Sequence, residues 1–184
     1  MKNSDYIIDI IGRNPGIRFR DLLRHTKMSS GTLTYHLAIL EENGNIKVDH
    51  QKTPRYYPLE IKNEDMIIIR YLGKKISQQI ILLLLDKKEL SFQTIRQITN
   101  YSYSAISSIL TKLIQEKIIH VEFEKNKKIY RLNNEYYLRN LIQKHMENIA
   151  NTFSSKNLTL FLVLPLLIKR LSYYFLIDPP EINF

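Results

Sequence analysis

Apolar residues fall along this chain at two spacings, and the switches between them predict a string of elements. Ile7, Ile8 and Ile11 recur at helical spacing after Ser4, which can cap that helix. Asn14-Pro15-Gly16 ends it, because proline cannot continue a helix and glycine suits the turn. Ile17-Arg18 can form a short strand. A second helix is expected over about 19–26, with Phe19, Leu22 and Leu23 inward. After the turn Lys27-Met28-Ser29, a third helix over about 30–43 carries Leu33, Leu37 and Leu40 on one face, and Gly44 can supply its left-handed cap. Two β-like runs, 46–49 and 55–59, flank a polar tip at 50–54.

The same string returns further on. Phe19 and Phe92 lie 73 residues apart, and that offset also pairs Ile7 with Ile80, Thr26 with Thr99, Leu37 with Leu110 and Leu40 with Leu113. It continues through Ile46/Ile119, Val48/Val121, Tyr57/Tyr130 and Leu59/Leu132. The matches are mostly apolar, so they describe a shared core and leave the polar positions free to differ. In the second copy helices are expected over 92–99 and 103–117, and a hairpin over 119–123 and 129–132 with its tip at 124–128. Helix, short strand, helix, turn, helix and hairpin is the winged helix-turn-helix order. The fold class is therefore mainly α with small β-hairpins (α+β): two tandem winged helix-turn-helix domains plus C-terminal helices. The expected division is a first domain over 1–60, a linker helix over 61–79, a second domain over 80–133 and a C-terminal helical dimerisation segment over 134–184.

Charge sharpens this picture. The 184 residues carry a net charge of +9, an imbalance that favours a polyanionic partner. Residues 61–132 hold thirteen Lys and Arg against seven Asp and Glu, so the middle of the chain carries most of the excess. Cysteine is absent, which excludes disulfides, thiolate metal sites and cysteine nucleophiles. The five histidines are scattered, so no metal site is expected, and His36 is expected to be partly buried beside Leu37 and Leu40. No phosphate loop, paired-carboxylate motif or nucleophile elbow is present, so neither catalysis nor a cofactor is expected. The N-terminus leads into a helical pattern and not an apolar signal core, so a cytoplasmic protein is expected.

On such a fold the third helix suits the major groove, and double-stranded DNA is the expected partner. The outward residues of the first copy are Ser30, Thr32, Thr34 and Tyr35, small hydroxyls and one aromatic that can approach base edges or phosphate. Those of the second are Tyr103, Ser104, Ser107, Ser108, Thr111 and Lys112. Lys52 and Arg55 flank the first hairpin tip, and Lys125, Lys127 and Lys128 crowd the second, where they can grip the backbone.

Gly31-Thr32-Leu33-Thr34-Tyr35-His36-Leu37, with Leu40-Glu41, Gly44 and Ile46 after it and Asn14 to Arg20 before it, resembles the ArsR/MarR-like winged-helix regulators of archaea. The resemblance covers residues 4–60, and over 75–132 only the core pattern persists. It implies transcriptional control by a homodimer, with Thr32, Thr34 and Tyr35 facing DNA. The C-terminal third fits a dimer element: Leu138, Ile142, Ile149 and Phe153 share a helical face, and Leu160, Phe161 and Leu164 lie in the apolar run that follows. That run contains Pro165 and is interrupted by Lys169-Arg170, so a membrane contact is the less favoured reading. Two alternatives stand beside DNA regulation. One is a tandem winged-helix module that binds protein, which acidic or apolar third helices would favour. The other is a regulator attached to a membrane through residues 158–177.

Overall fold

The computed structural model describes residues 3–153, with side chains through residue 145. Helix α1 (Asn3–Arg13) buries Ile7, Ile10 and Ile11. It stops where the Asn14 side chain turns back to the Ile10 carbonyl at 2.9 Å. Gly16 follows with φ +80, and a Cβ there would lie 3.0 Å from Ile69 and 3.2 Å from the Tyr57 ring, so only glycine fits. Strand β1 (Ile17–Arg18) runs into α2 (Phe19–Thr26), which ends on Lys27 in the left-handed region. The Ser29 hydroxyl accepts from the Thr32 amide at 3.1 Å and caps α3 (Ser30–Glu42). Strands β2 (Ile46–Asp49) and β3 (Arg55–Pro58) close a three-stranded sheet in the order β1-β3-β2.

The order recurs downstream of α4 (Asn63–Leu72). It runs through α5 (Lys75–Lys87), β4 (Glu89–Ser91), α6 (Phe92–Thr99), α7 (Tyr103–Gln115), β5 (Ile119–Glu124) and β6 (Lys127–Leu132). Helix α8 (Glu135–Phe153) follows, and the second sheet has the order β4-β6-β5. Helices α2 and α6, and likewise α3 and α7, begin and end 73 residues apart.

Past the wing tips the offset changes. Ile17 pairs with Tyr56, whereas Leu90 pairs with Tyr130, so Tyr56 and not Tyr57 is the counterpart of Tyr130. The second hairpin holds one more residue, and the structural offset there is 74. A one-residue slip turns a strand's side chains to the opposite face. Tyr56 and Tyr130 accordingly sit in the two cores, while Tyr57 faces the other side of its sheet and donates its hydroxyl proton to the Met66 carbonyl at 3.2 Å.

The run over 61–79 is not one linker helix. Helix α4 ends at Gly73, and α5 already begins at Lys75. Gly73 marks the break because the Arg55 guanidinium occupies the space a side chain would need, 2.9 Å from the position of a Cβ. The Ser77 hydroxyl donates to the Tyr71 carbonyl at 2.6 Å, satisfying one of the carbonyls that the helix end leaves open.

Three apolar clusters result among the described residues. Ile7, Leu22, Leu33, Leu37 and Tyr56 lie in one, and Ile80, Leu84, Ile95, Ile106, Leu110 and Tyr130 in another. Tyr57, Ile61, Ile69 and Leu141 form a third, made by residues of β3, α4 and α8 and the loop after β3. Each side chain so buried stabilises by roughly 1.5–3 kcal/mol relative to exposure. Leu138 and Ile142, expected on a dimerisation face, are instead 3% and 4% exposed and packed into the second cluster. Their helix covers its own chain because α5 and α4 present apolar side chains to it. The side chains of Ile149 and Phe153, and Leu160, Phe161 and Leu164, lie outside the described residues. Among the described residues no helix is long and apolar enough to cross a membrane.

Candidate nucleic-acid interface

Helix α3 is presented by the packing of Leu33, Leu37 and Leu40, which turns the opposite face outward. Ser30, Thr32, Thr34 and Tyr35 are all exposed, Tyr35 by 64%. Part of the Thr32 hydroxyl's capacity goes to Ser29, 2.8 Å away. His36 is half-buried and points back to α1, with its ring nitrogens 3.4 Å from the Asn3 amide and the Ser4 hydroxyl. It therefore ties the third helix to the first.

Helix α7 is built alike on Ile106, Leu110 and Leu113, with Ser102 as its cap. Tyr103, Ser104, Ser108, Thr111 and Lys112 are exposed. Tyr103 leans on Phe92, ring centres 4.7 Å apart. Ser107 is half-buried, and its carbonyl accepts the Thr111 hydroxyl at 2.9 Å, so it offers less than its neighbours.

Arg55 departs from expectation most sharply. It was expected on the wing as a DNA contact, yet it is 3% exposed and donates Nη1 to the Gly16 carbonyl at 2.7 Å. Its position on β3 points it away from the core of the first sheet, toward the corner where α4 ends. Burial pushes its pKa down from the usual arginine value, and the nearby Arg18 pushes in the same direction. Lys52, by contrast, is exposed at the tip.

The second wing is also rearranged. Strands β5 and β6 extend to Glu124 and Lys127, leaving a two-residue turn of Lys125 and Asn126 with φ 45 and 62. Positive φ at both positions is the hairpin turn whose twist matches the strands. Lys127 thus pairs with Glu124 and Lys128 with Phe123, so the two lysines point to opposite faces. Lys128 sits 5.8 Å from the centre of the Phe123 ring, which is 72% exposed. On the other face Arg131 bonds to Glu89, Glu122 and Glu124. Lys125, Lys127 and Lys128 therefore do not form one cationic tip, and the outer face of this sheet carries three carboxylates around one arginine.

A row of cations on α2 escaped the sequence reading. Arg20, Arg24 and Lys27 are exposed at i, i+4 and i+7, beside the turn into α3. Their counterparts 73 residues on are Gln93, Gln97 and Asn100. With Arg96, Tyr101 and Ser102 these line a shallow polar cleft of about 680 Å³ before α7. Comparing the polar members of the repeat pair by pair, in addition to the apolar ones, finds this difference.

Residues 2–66 match a family model described as an N-terminal HTH domain. No curated protein matches the chain. Among solved structures the chain is similar to HlyU from Vibrio cholerae, at 21% identity and a TM-score of 0.39, over 45% of this chain and 92% of that one. It is also similar to the DIP2311 protein from Corynebacterium diphtheriae, at 13% identity and a TM-score of 0.28. That match covers 71% of this chain and 26% of the other, so the chain spans about a quarter of that protein's length. The fold is α+β, and its residues 2–66 match the model of a helix-turn-helix domain.

Proposed function

We propose that the chain is a transcription regulator that binds double-stranded DNA sequence-specifically through α3 of its helix-turn-helix domain. The observation that carries this reading is the pairing of surfaces on the first copy. Exposed hydroxyls and a tyrosine on α3 follow, in the next element of the chain, the exposed cations Arg20, Arg24 and Lys27 of α2 and its cap, of which Arg24 also pairs with Asp21 at 3.2 Å. Base edges ask for the first and phosphates for the second. Lys52 at the wing adds another phosphate contact. On the second copy Tyr103, Ser104, Ser108 and Lys112 offer a similar face, but with amides where the first copy has cations. The first copy is the main anchor and the second adds selectivity or a further contact.

A salt titration of duplex binding tests the proposal. Each lost phosphate contact lowers the log–log slope by about 0.9. Changing Arg20, Arg24 and Lys27 to Ala together is expected to flatten it by up to about 3. Absence of binding to any duplex at low salt would contradict the proposal.

One observation favours a second reading for the second copy alone. The carboxylates Glu89, Glu122 and Glu124 repel phosphate, so the outer face of that sheet suits a basic protein surface better than DNA.

A further inference from the structure

Cationic side chains from β1, β3, α4 and the turn after it converge where α4 meets α5. Arg18 of β1 donates Nη2 to the Gly73 carbonyl at 3.4 Å. The Arg55 guanidinium lies against the same glycine. Lys74 places its ammonium 4.8 Å over the Tyr71 ring, and Arg70 approaches that ring to 5.9 Å. Burial first, and then the neighbouring cations, hold Lys74 below the usual lysine pKa.

Few anions answer them. Asp49 lies 3.0 Å from Arg70 Nε, and Glu116 accepts the Tyr71 hydroxyl. Four cations face two carboxylates, and the Gly16 and Gly73 carbonyls supply only partial charge. Arg55 and Arg70 are fixed by burial, at 3% and 7% exposure, whereas Arg18 and Lys74 are exposed and can close on a ligand. Fixed guanidinia behind mobile donors suit a compact multivalent anion.

We propose that this junction binds a phosphate group, held by Arg18 and Lys74 in front of the buried Arg55 and Arg70. Arg18 belongs to β1 and Lys74 is the N-cap residue of α5, so a bound phosphate would brace the two elements against each other. The site stands independently of what α3 reads. The phosphate has two sources, a small phosphorylated molecule or the DNA backbone, and the test separates them.

Thermal unfolding of the full chain is followed in inorganic phosphate against chloride at matched ionic strength, and affinity for a short duplex is measured alongside. The variants are Arg18→Ala/Lys74→Ala, Lys74→Arg as a charge-preserving control, and Lys125→Ala/Lys127→Ala/Lys128→Ala. All the altered side chains are exposed, so folding is retained. A saturable rise in Tm for the parent, the Lys74→Arg variant and the wing variant, with phosphate affinity reduced about tenfold or more in the junction variant, supports a small-molecule site. No phosphate effect, but weaker duplex binding and a flatter salt slope in the junction variant, supports a backbone phosphate in the same site. Equal phosphate stabilisation of every variant overturns the proposal, as does no phosphate effect with unchanged duplex binding. Phosphate binding without any duplex binding would leave the junction standing and remove the DNA reading.

Discussion

Arg55 and Gly73 depend on each other. The guanidinium fills the space that a Gly73 side chain would take and bonds to the Gly16 carbonyl. Gly73→Ala is expected to destabilise by about 1–3 kcal/mol through overpacking, read in urea unfolding. Arg55→Ala should likewise lower stability, whereas Lys52→Ala should weaken duplex binding and leave Tm unchanged. Tyr57 behaves as another junction residue. Burial pushes its pKa up to about 12, so the folded chain holds that proton after the unfolded chain has lost it. Stability from this group is fully present below pH 10 and is lost as pH rises toward 12. Tyr137, raised to about 12 by its hydrogen bond to Asp65, adds to the same window. Tyr57→Phe should reduce the alkaline loss, measured as Tm against pH, and an unchanged profile would refute the assignment. None of this was legible in sequence, because an arginine beside a hairpin tip looks like a wing cation until the fold shows which face of the strand it occupies.

At the level of elements, the apolar spacing was enough to place α2, α3, α6 and α7, since Leu33, Leu37 and Leu40 and their counterparts admit one inward face. The hairpins were harder. A repeat judged on apolar matches ran ungapped through Tyr57/Tyr130, and only strand pairing shows that Tyr56 is the counterpart. In sequence the tip reads longer than it is, because five charged and polar residues in a row, Glu124 to Lys128, look like loop. Cross-strand pairing of Glu124 with Lys127 and Phe123 with Lys128 carries the ladder out to a two-residue turn. The consequence is testable. Lys127 faces carboxylates, so changing Lys125, Lys127 and Lys128 to Ala should flatten the salt slope by less than the Arg20, Arg24 and Lys27 change does. The opposite ranking would mean that the second wing is the principal phosphate grip.

For the molecule as a whole, α4 and α8 join what the repeat alone would leave as two separate copies. The Asp49–Arg70 ion pair, the Tyr57–Met66 bond and the Tyr57, Ile61, Ile69 and Leu141 cluster all cross that seam. The sequence showed α8 as an amphipathic helix, and its apolar face went to this chain's own core. Leu141→Ala should cost about 2–5 kcal/mol and shift unfolding of both copies together, followed by denaturant titration with probes in each. Two separated transitions in the parent chain would argue against a shared seam.

The central claim is that α3 of the helix-turn-helix domain reads DNA. Its most direct test is equilibrium binding of the full chain to duplex at fixed salt, with Thr34→Glu/Tyr35→Glu beside the parent and Tm recorded for both. The α3 face is exposed, so the account predicts an unchanged Tm and an affinity lowered by at least about tenfold, or roughly 1.4 kcal/mol. Unaltered affinity with two carboxylates on that face would contradict it.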